Sequence, residues 1–270
     1  MIVYTLIMQI DGKEIARGIL ARLSKDITAL RVAPTLAVIQ VGDNPASLAY
    51  IRQKQKAAEK IGARMIVSNT IADVWRFNTD PSVHGIIVQR PVPEGTPPYA
   101  VTLQKDVDGF EPGSPFDVPV VAAVGEILQT IHPDDFQAWV QQKTVTVIGR
   151  GSTAGNPIFH YFQKLHCATS QIHSQTPDPE KITKDADIIV SCVGKRRVLT
   201  GEHIKPGVIL IGVGLWRDSE GKLKGDYEEP EIANIASAFT PTPGGVGPVN
   251  VACLMQNLVK ACTLQQGGGV

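Results

Sequence analysis

The chain has 270 residues, with 26 Lys and Arg against 26 Asp and Glu, no formal net charge and a hydrophobic share of 43%. That length holds one large domain or two ordinary ones, and the composition is that of a soluble folded protein rather than a disordered one. Zero net charge removes the positive field with which a general nucleic-acid binder attracts phosphates, and no apolar run reaches the roughly 20 residues of a membrane helix.

The stretch MIVYTLIMQIDGKEIARG starts apolar, without a basic leader or a small-residue cleavage site, and reads as a first strand. Ile15, Ile19, Leu23, Ile27 and Leu30 recur at helical spacing and predict a helix from near Asp11 that Pro34 ends. LAVIQVG, Leu36 to Gly42, is a continuous apolar run, the pattern of a strand buried on both faces of a parallel sheet. A helix from Pro45 or Ala46 to about Ile61 and a buried strand GIIVQRP, Gly85 to Pro91, come next. Pro93, Pro97, Pro98, Pro112 and Pro115 then predict a long loop, and Pro119 to Ile131 a helix.

Beyond it the alternation is regular. Strand Thr144 to Gly149, helix Gly155 to Leu165, and strands Thr169 to Ser174, Asp187 to Gly194 and Val208 to Gly214 make a parallel α/β unit. A last amphipathic helix runs from Val249 to about Thr263, and the terminal GGGV reads as a frayed tail. The predicted fold is therefore α/β with two domains, residues 1–131 and 132–248, the second of Rossmann type. Cys167, Cys192, Cys253 and Cys262 form no CxxC pair and sit in apolar or helical segments, which predicts buried reduced thiols and a cytoplasmic protein. The six histidines show no metal-ligand spacing, so no metal is expected.

Gly149, Arg150, Gly151, Ser152 and Gly155 lie where an apolar strand hands over to a helix, the place where a dinucleotide pyrophosphate docks on backbone N–H groups. The spacing is GxGxxxG, so it is the flanking strand and helix that favour cofactor binding over a purely structural turn. The next strand ends at His173-Ser174 without an Asp or Glu for a ribose 2′-hydroxyl, while Arg150 and Ser174 suit a 2′-phosphate, which points to NADP. The alternative is that His173 and Ser174 only cap a loop.

Tyr50 and Lys54 stand four residues apart and project from one helix face. Burial there would disfavour the ammonium and leave an amine able to take a proton near neutral pH. The alternative is an ordinary exposed helix on which Lys54 and Lys56 are solvated and Tyr50 packs on the sheet.

With these residues located, the chain resembles the bifunctional methylenetetrahydrofolate dehydrogenase/cyclohydrolase family over nearly its whole length. The motifs are DGKEIA at Asp11, VGDNPASLAYIRQKQKAAEKIG from Val41, DPSVHGIIVQRPVP from Asp80, KDVDGF from Lys105, VIGRGSTAGNP from Val147, KDADIIVSCVGK from Lys184 and PGGVGP from Pro243. The resemblance implies an N-terminal folate domain completed by the C-terminal helix (249–265), an intervening NADP domain and a homodimer. It implies Lys54 as catalytic lysine, Gln89 as its hydrogen-bond partner, Tyr50 as packing on or positioning the folate, and Asp108 as holding the pterin. It also implies that Pro243, Gly244 and Gly245 approach the substrate; as plain chemistry, that turn also serves to start the last helix, and an Asp-Gly such as Asp108-Gly109 also serves as a turn cap. The implied activity is NADP-dependent oxidation of 5,10-methylenetetrahydrofolate to the methenyl compound and its hydrolysis to 10-formyltetrahydrofolate. A folate- or NADP-binding homologue without one or both activities, and an unrelated NADP-dependent reductase, are the alternatives. Several departures stand out. The segment between Ile66 and Asn78 and the loop from Asp108 to Pro119 are short, Gly151 replaces a usual serine, Gly212 a usual aspartate, and PVN at Pro248 to Asn250 stands for PMT. Together they predict a looser cofactor or substrate site.

Overall fold

The structure, a computed structural model, describes residues 8–42 and 45–267. The expected first strand at residues 1–7 and the frayed tail at 268–270 lie outside the described residues. The chain divides into two compact units, residues 1–15 with 120–249 and residues 16–119 with 250–270.

In chain order the described elements begin with β1 (Met8–Gln9), α1 (Gly12–Asp26), β2 (Thr35–Ile39), α2 (Pro45–Ile61), β3 (Arg64–Ser68), α3 (Asp73–Thr79) and β4 (Gly85–Val88). After the long loop come α4 (Pro119–Ile131), α5 (Phe136–Gln141), β5 (Thr144–Ile148), α6 (Gly155–Lys164), β6 (Ala168–Ile172), α7 (Pro179–Asp185), β7 (Ile188–Ser191) and β8 (Ile209–Gly212). A short hairpin β9 (Trp216–Arg217) and β10 (Leu223–Lys224), then α8 (Glu229–Ile232), β11 (Ala238–Phe239) and α9 (Val246–Gly267) complete it. Asp11 starts α1 because its carboxylate accepts from the backbone N–H of Lys13 and Glu14, two donors a helix start leaves unsatisfied.

The smaller unit carries a three-stranded parallel sheet in the order β3-β2-β4. All five residues of β2 are buried, as a central parallel strand covered on both faces requires. β3 is one of the two edge strands, and its residues are only half-buried or exposed. Ala37, Ile39, Val74, Phe77, Ile86 and Val88 pack as one core. Buried Lys105 donates its Nζ to the carbonyls of Phe77 (2.8 Å) and Asp80 (2.7 Å), which ties the loop after β4 to the end of α3.

The larger unit carries a six-stranded sheet in the order β1-β11-β8-β7-β5-β6 with every neighbouring pair parallel. From β5 the chain steps outward to β6 and then returns to the other side of β5 as β7. The loops after β5 and β7 therefore diverge over a crevice at the carboxyl ends of the strands, the place where doubly wound sheets bind ligands. The division departs from the expected domain boundaries at two points. β1 joins the six-stranded sheet by pairing with β11, and α4 from Val120 onward clusters with that same unit, not with residues 16–119.

Candidate active site and cofactor site

The amine of Lys54 comes from the middle of α2 and donates to Oε1 of Gln89, the residue after β4, at 2.7 Å. Gln89 is fixed in turn: its backbone N–H donates to Ile39 O (2.8 Å) and its Nε2 to Arg90 O (3.1 Å). Both groups thus stand at the carboxyl end of the small sheet, where the chain also changes direction between β2's two neighbours. Burial holds the Lys54 ammonium below its ordinary pKa, with the negative charge of Asp108 acting in the opposite sense. Asp108 is pushed above the ordinary carboxylate range by burial, while Lys54 and Arg90 pull it down and Asp106 pushes it up. Lys54 and Asp108 form one electrostatic pair in which each charge is costly alone. Tyr50 lies one turn before Lys54 on α2, half-buried, whereas Arg52, Gln53 and Lys56 are exposed. The solvated-lysine alternative therefore describes Lys56 and not Lys54.

KDVDGF contains two carboxylates, and the structure separates them. Asp106 is the turn cap: its Oδ1 accepts from Gly109 N (3.1 Å) and its Oδ2 from Glu111 N (2.9 Å). Gly109, at φ 71°, turns the chain and has the backbone of Phe116 and Asp117 where a Cβ would be. The short loop that follows is braced from α9. Asn257 Nδ2 donates to Val107 O (2.9 Å) and Asp117 O (2.8 Å), and Lys260 Nζ to Pro115 O (3.0 Å). These braces, which no motif announces, oppose the looseness predicted from the loop's length.

In the larger unit a cavity of about 470 Å³ opens at the switch point, lined by Gly149 and Arg150 after β5, His173 and Ser174 after β6, and Val193 after β7. Gly149, Arg150 and Ser174 thus meet at one place. Gly151 and Ser152 are exposed on the same loop and do not line the cavity, and Gly155 is buried at the start of α6. The glycines have separate reasons. Gly149, at φ 107°, has Cys192 O at 2.9 Å from where a Cβ would stand, whereas Gly155 lies against the backbone of Gly149 and Arg150 and lets α6 close on β5. A Cβ at Gly151 meets open space, so local sterics do not demand a glycine in place of the serine. Glu180 of α7 also lines this cavity, a carboxylate that the residues ending β6 did not announce; its Oε1 lies 3.6 Å from His203 Nε2.

Gly244, at φ 114°, and Gly245, against Thr240 and Pro241, are both required by the turn that leads into α9, and Pro243 is exposed beside them. These three residues belong to the larger unit and Lys54, Gln89 and Asp108 to the smaller. Gly212 also has a local reason: a Cβ there would stand 3.2 Å from the ring of buried Tyr227, whose hydroxyl donates to Thr240 O at 2.6 Å. The tyrosine occupies the room that a side chain at 212 needs, so the glycine leaves no void. All four cysteines are thiols, three buried and Cys192 half-buried, and burial raises the pKa of Cys167, Cys192 and Cys262.

A doubly wound parallel sheet with a glycine loop at its switch point, in a chain whose other α/β unit holds a lysine amine against a glutamine, has the architecture of a dinucleotide-dependent enzyme. Residues 10–108 match the catalytic domain of tetrahydrofolate dehydrogenase/cyclohydrolase and residues 120–266 its NAD(P)-binding domain. The chain belongs to the tetrahydrofolate dehydrogenase/cyclohydrolase family. It is similar to the bifunctional protein FolD of Geobacillus thermodenitrificans, 36% identical over 277 residues that cover 93% of this chain and 96% of the relative. The FolD protein of Lacticaseibacillus casei is 37% identical over 280 residues, covering 96% and 99%. Among solved structures, the FolD methylenetetrahydrofolate dehydrogenase/cyclohydrolase of Campylobacter jejuni superposes with a TM-score of 0.87 at 31% identity, covering 96% of this chain and 99% of that one. The Trypanosoma brucei FolD, complexed with NADP cofactor and inhibitor, gives a TM-score of 0.88 at 28% identity, covering 96% and 98%.

Proposed function

We propose that the chain oxidises 5,10-methylenetetrahydrofolate to 5,10-methenyltetrahydrofolate with NADP and hydrolyses the product to 10-formyltetrahydrofolate. The observation that carries this reading is the Lys54–Gln89 hydrogen bond on a lysine whose ammonium burial disfavours, with Asp108 beside it. The residues at the switch-point cavity suit the dinucleotide. Gly149 gives close backbone approach, the glycine loop places a pyrophosphate at the positive end of α6, and Arg150 and Ser174 bind a 2′-phosphate.

When bound, NADP accepts the hydride from the one-carbon unit. The protein's part in that step is positioning, because the nitrogen lone pairs of the folate stabilise the methenyl cation themselves. Asp108 accepts from adjacent pterin N–H donors in a bidentate manner, and Tyr50 packs on the folate. Water then adds to the cation. Lys54, held at its Nζ by Gln89, takes one proton of the attacking water and passes it to N5 as the C–N5 bond of the tetrahedral adduct breaks, while the adduct's hydroxyl proton leaves to solvent as the formyl C=O forms. Pro243, Gly244 and Gly245 bring backbone close to the substrate, and Ser152 and Gly151 complete the pyrophosphate loop.

The enzyme works as a homodimer in the cytoplasm. The open edge of β3, with Ile66 and Val67 exposed, offers a surface that a second copy covers, since an unpaired apolar edge is otherwise a liability. Sedimentation at micromolar concentration checks this, and a monomer contradicts it. Purified protein given methylenetetrahydrofolate with NADP or NAD, with methenyl and formyl products followed separately, tests the activity. Both products with a clear preference for NADP are expected. Cofactor binding without methenyl formation contradicts the reading.

A further inference from the structure

Asp226 is fully buried, and its carboxylate carries four hydrogen bonds. Oδ1 accepts from the backbone N–H of Gly194 (2.7 Å) and Lys195 (2.9 Å). Oδ2 accepts from Ser191 Oγ (2.6 Å) and from the backbone N–H of Val193 (2.9 Å). Its main chain accepts as well: Val198 N and Leu199 N donate to the Asp226 carbonyl at 2.8 and 3.2 Å. No cation pairs with this carboxylate among the described residues. A buried carboxylate is expensive unless every lone pair is met, and here three consecutive backbone N–H groups and a hydroxyl meet them. Gly214 completes the fit, because a Cβ at that position would run into the carboxylate and into Gly194 N.

The segment held in this way is the loop after β7. It borders the crevice at the switch point: Cys192 O lies against Gly149, and Val193 lines the cavity with Gly149 and Arg150. Three consecutive N–H groups pointing inward at Asp226 give the loop one shape, and that shape is a wall of the cofactor cavity. A loop without this anchor has three part-buried donors unmet and must turn them to water, moving Val193 with it.

We propose that Asp226 is a positioning residue for NADP, acting through the loop Cys192–Lys195 and not by contact with the cofactor. The proposal rests on the assignment of the switch-point cavity to NADP. Asp226→Asn tests it, because the amide keeps the shape but presents a donor where the carboxylate accepts. The readouts are NADPH affinity by fluorescence titration without folate, and hydrolysis of methenyltetrahydrofolate without NADP. We expect NADPH binding weakened at least about tenfold by the loss of hydrogen bonds to a charged acceptor. Hydrolysis should stay within about twofold of wild type, since Lys54 belongs to another unit of the chain. NADPH affinity within about twofold of wild type in the folded variant, or loss of both readouts in equal proportion, overturns the proposal. Should Asp226→Asn not fold, Ser191→Ala removes a single bond and should weaken NADPH about threefold, and unchanged affinity there overturns it as well. A wild type that binds NADPH but leaves folate unchanged would count against the proposed activity alone, whereas a wild type that binds no NADPH would overturn both.

Discussion

Lys54 and Asp108 illustrate how two charges that burial penalises can be kept by facing each other. Burial lowers the pKa of Lys54 and Asp108 raises it, so removing the carboxylate leaves burial unopposed. The hydrolysis rate should therefore rise with pH as Lys54 loses its proton, with a midpoint below the ordinary 10.5. In Asp108→Asn this rise should move to still lower pH, while folate affinity falls and NADPH affinity and melting temperature stay near wild type. A variant with lost stability and normal folate affinity would mean that Asp108 belongs to the turn. Arg150→Ala tests the other site: NADP binding should weaken about tenfold or more, the worth of a charge-assisted bond to a phosphate, and NAD binding little. Equal loss for both dinucleotides contradicts the 2′-phosphate assignment. At this scale sequence reading reached the residue types but not their division of labour. Two aspartates in KDVDGF look alike on paper, and only the hydrogen bonds to Gly109 and Glu111 show that Asp106 caps the turn.

Among the elements, those with a full repeat of their pattern were legible. The expected helices at Pro45 to Ile61 and Pro119 to Ile131 coincide with α2 and α4, because both carry apolar periodicity over three turns or more and start at a proline suited to the first helical position. β3 was not legible, since its three apolar residues Met65, Ile66 and Val67 are too few to show a strand period and no Gly or Pro closes them as Gly42 and Pro91 close the runs at β2 and β4. Neither were α3, α5 and α7, of seven, six and seven residues, which are too short to display a helical period. α9 starts at Val246, earlier than expected, because Gly247 and Pro248 read as a breaker although proline is tolerated in a first turn. The braces between α9 and the loop around Asp108 were invisible because Asn257 lies 150 and 140 residues from its partners, Val107 and Asp117. Asn257→Leu should free both carbonyls of the shortened loop and cost about 1 to 3 kcal/mol of stability. The Michaelis constant for folate should rise by more than the turnover number falls, as Asp108 loses its support. Unchanged folate kinetics at reduced stability would mean that the braces serve folding only.

Across the whole molecule, two chemistries are assigned to two units of one chain, and the assignment is what makes them separable. In the proposed assignment, Gly149, Arg150 and Ser174 of the larger unit serve hydride transfer through the dinucleotide, and Lys54 and Gln89 of the smaller unit serve proton transfer to and from water. Lys54→Met tests this most directly. Methionine is also a good helix former, so α2 should persist, and a thioether cannot carry the proton. The measurement is a single reaction of the variant with methylenetetrahydrofolate and NADP, with methenyl- and formyltetrahydrofolate quantified over time beside wild type. We expect the methenyl compound to form and accumulate while enzymatic formyl production is lost. A folded Lys54→Met protein that still hydrolyses the methenyl compound at nearly the wild-type rate would contradict the account.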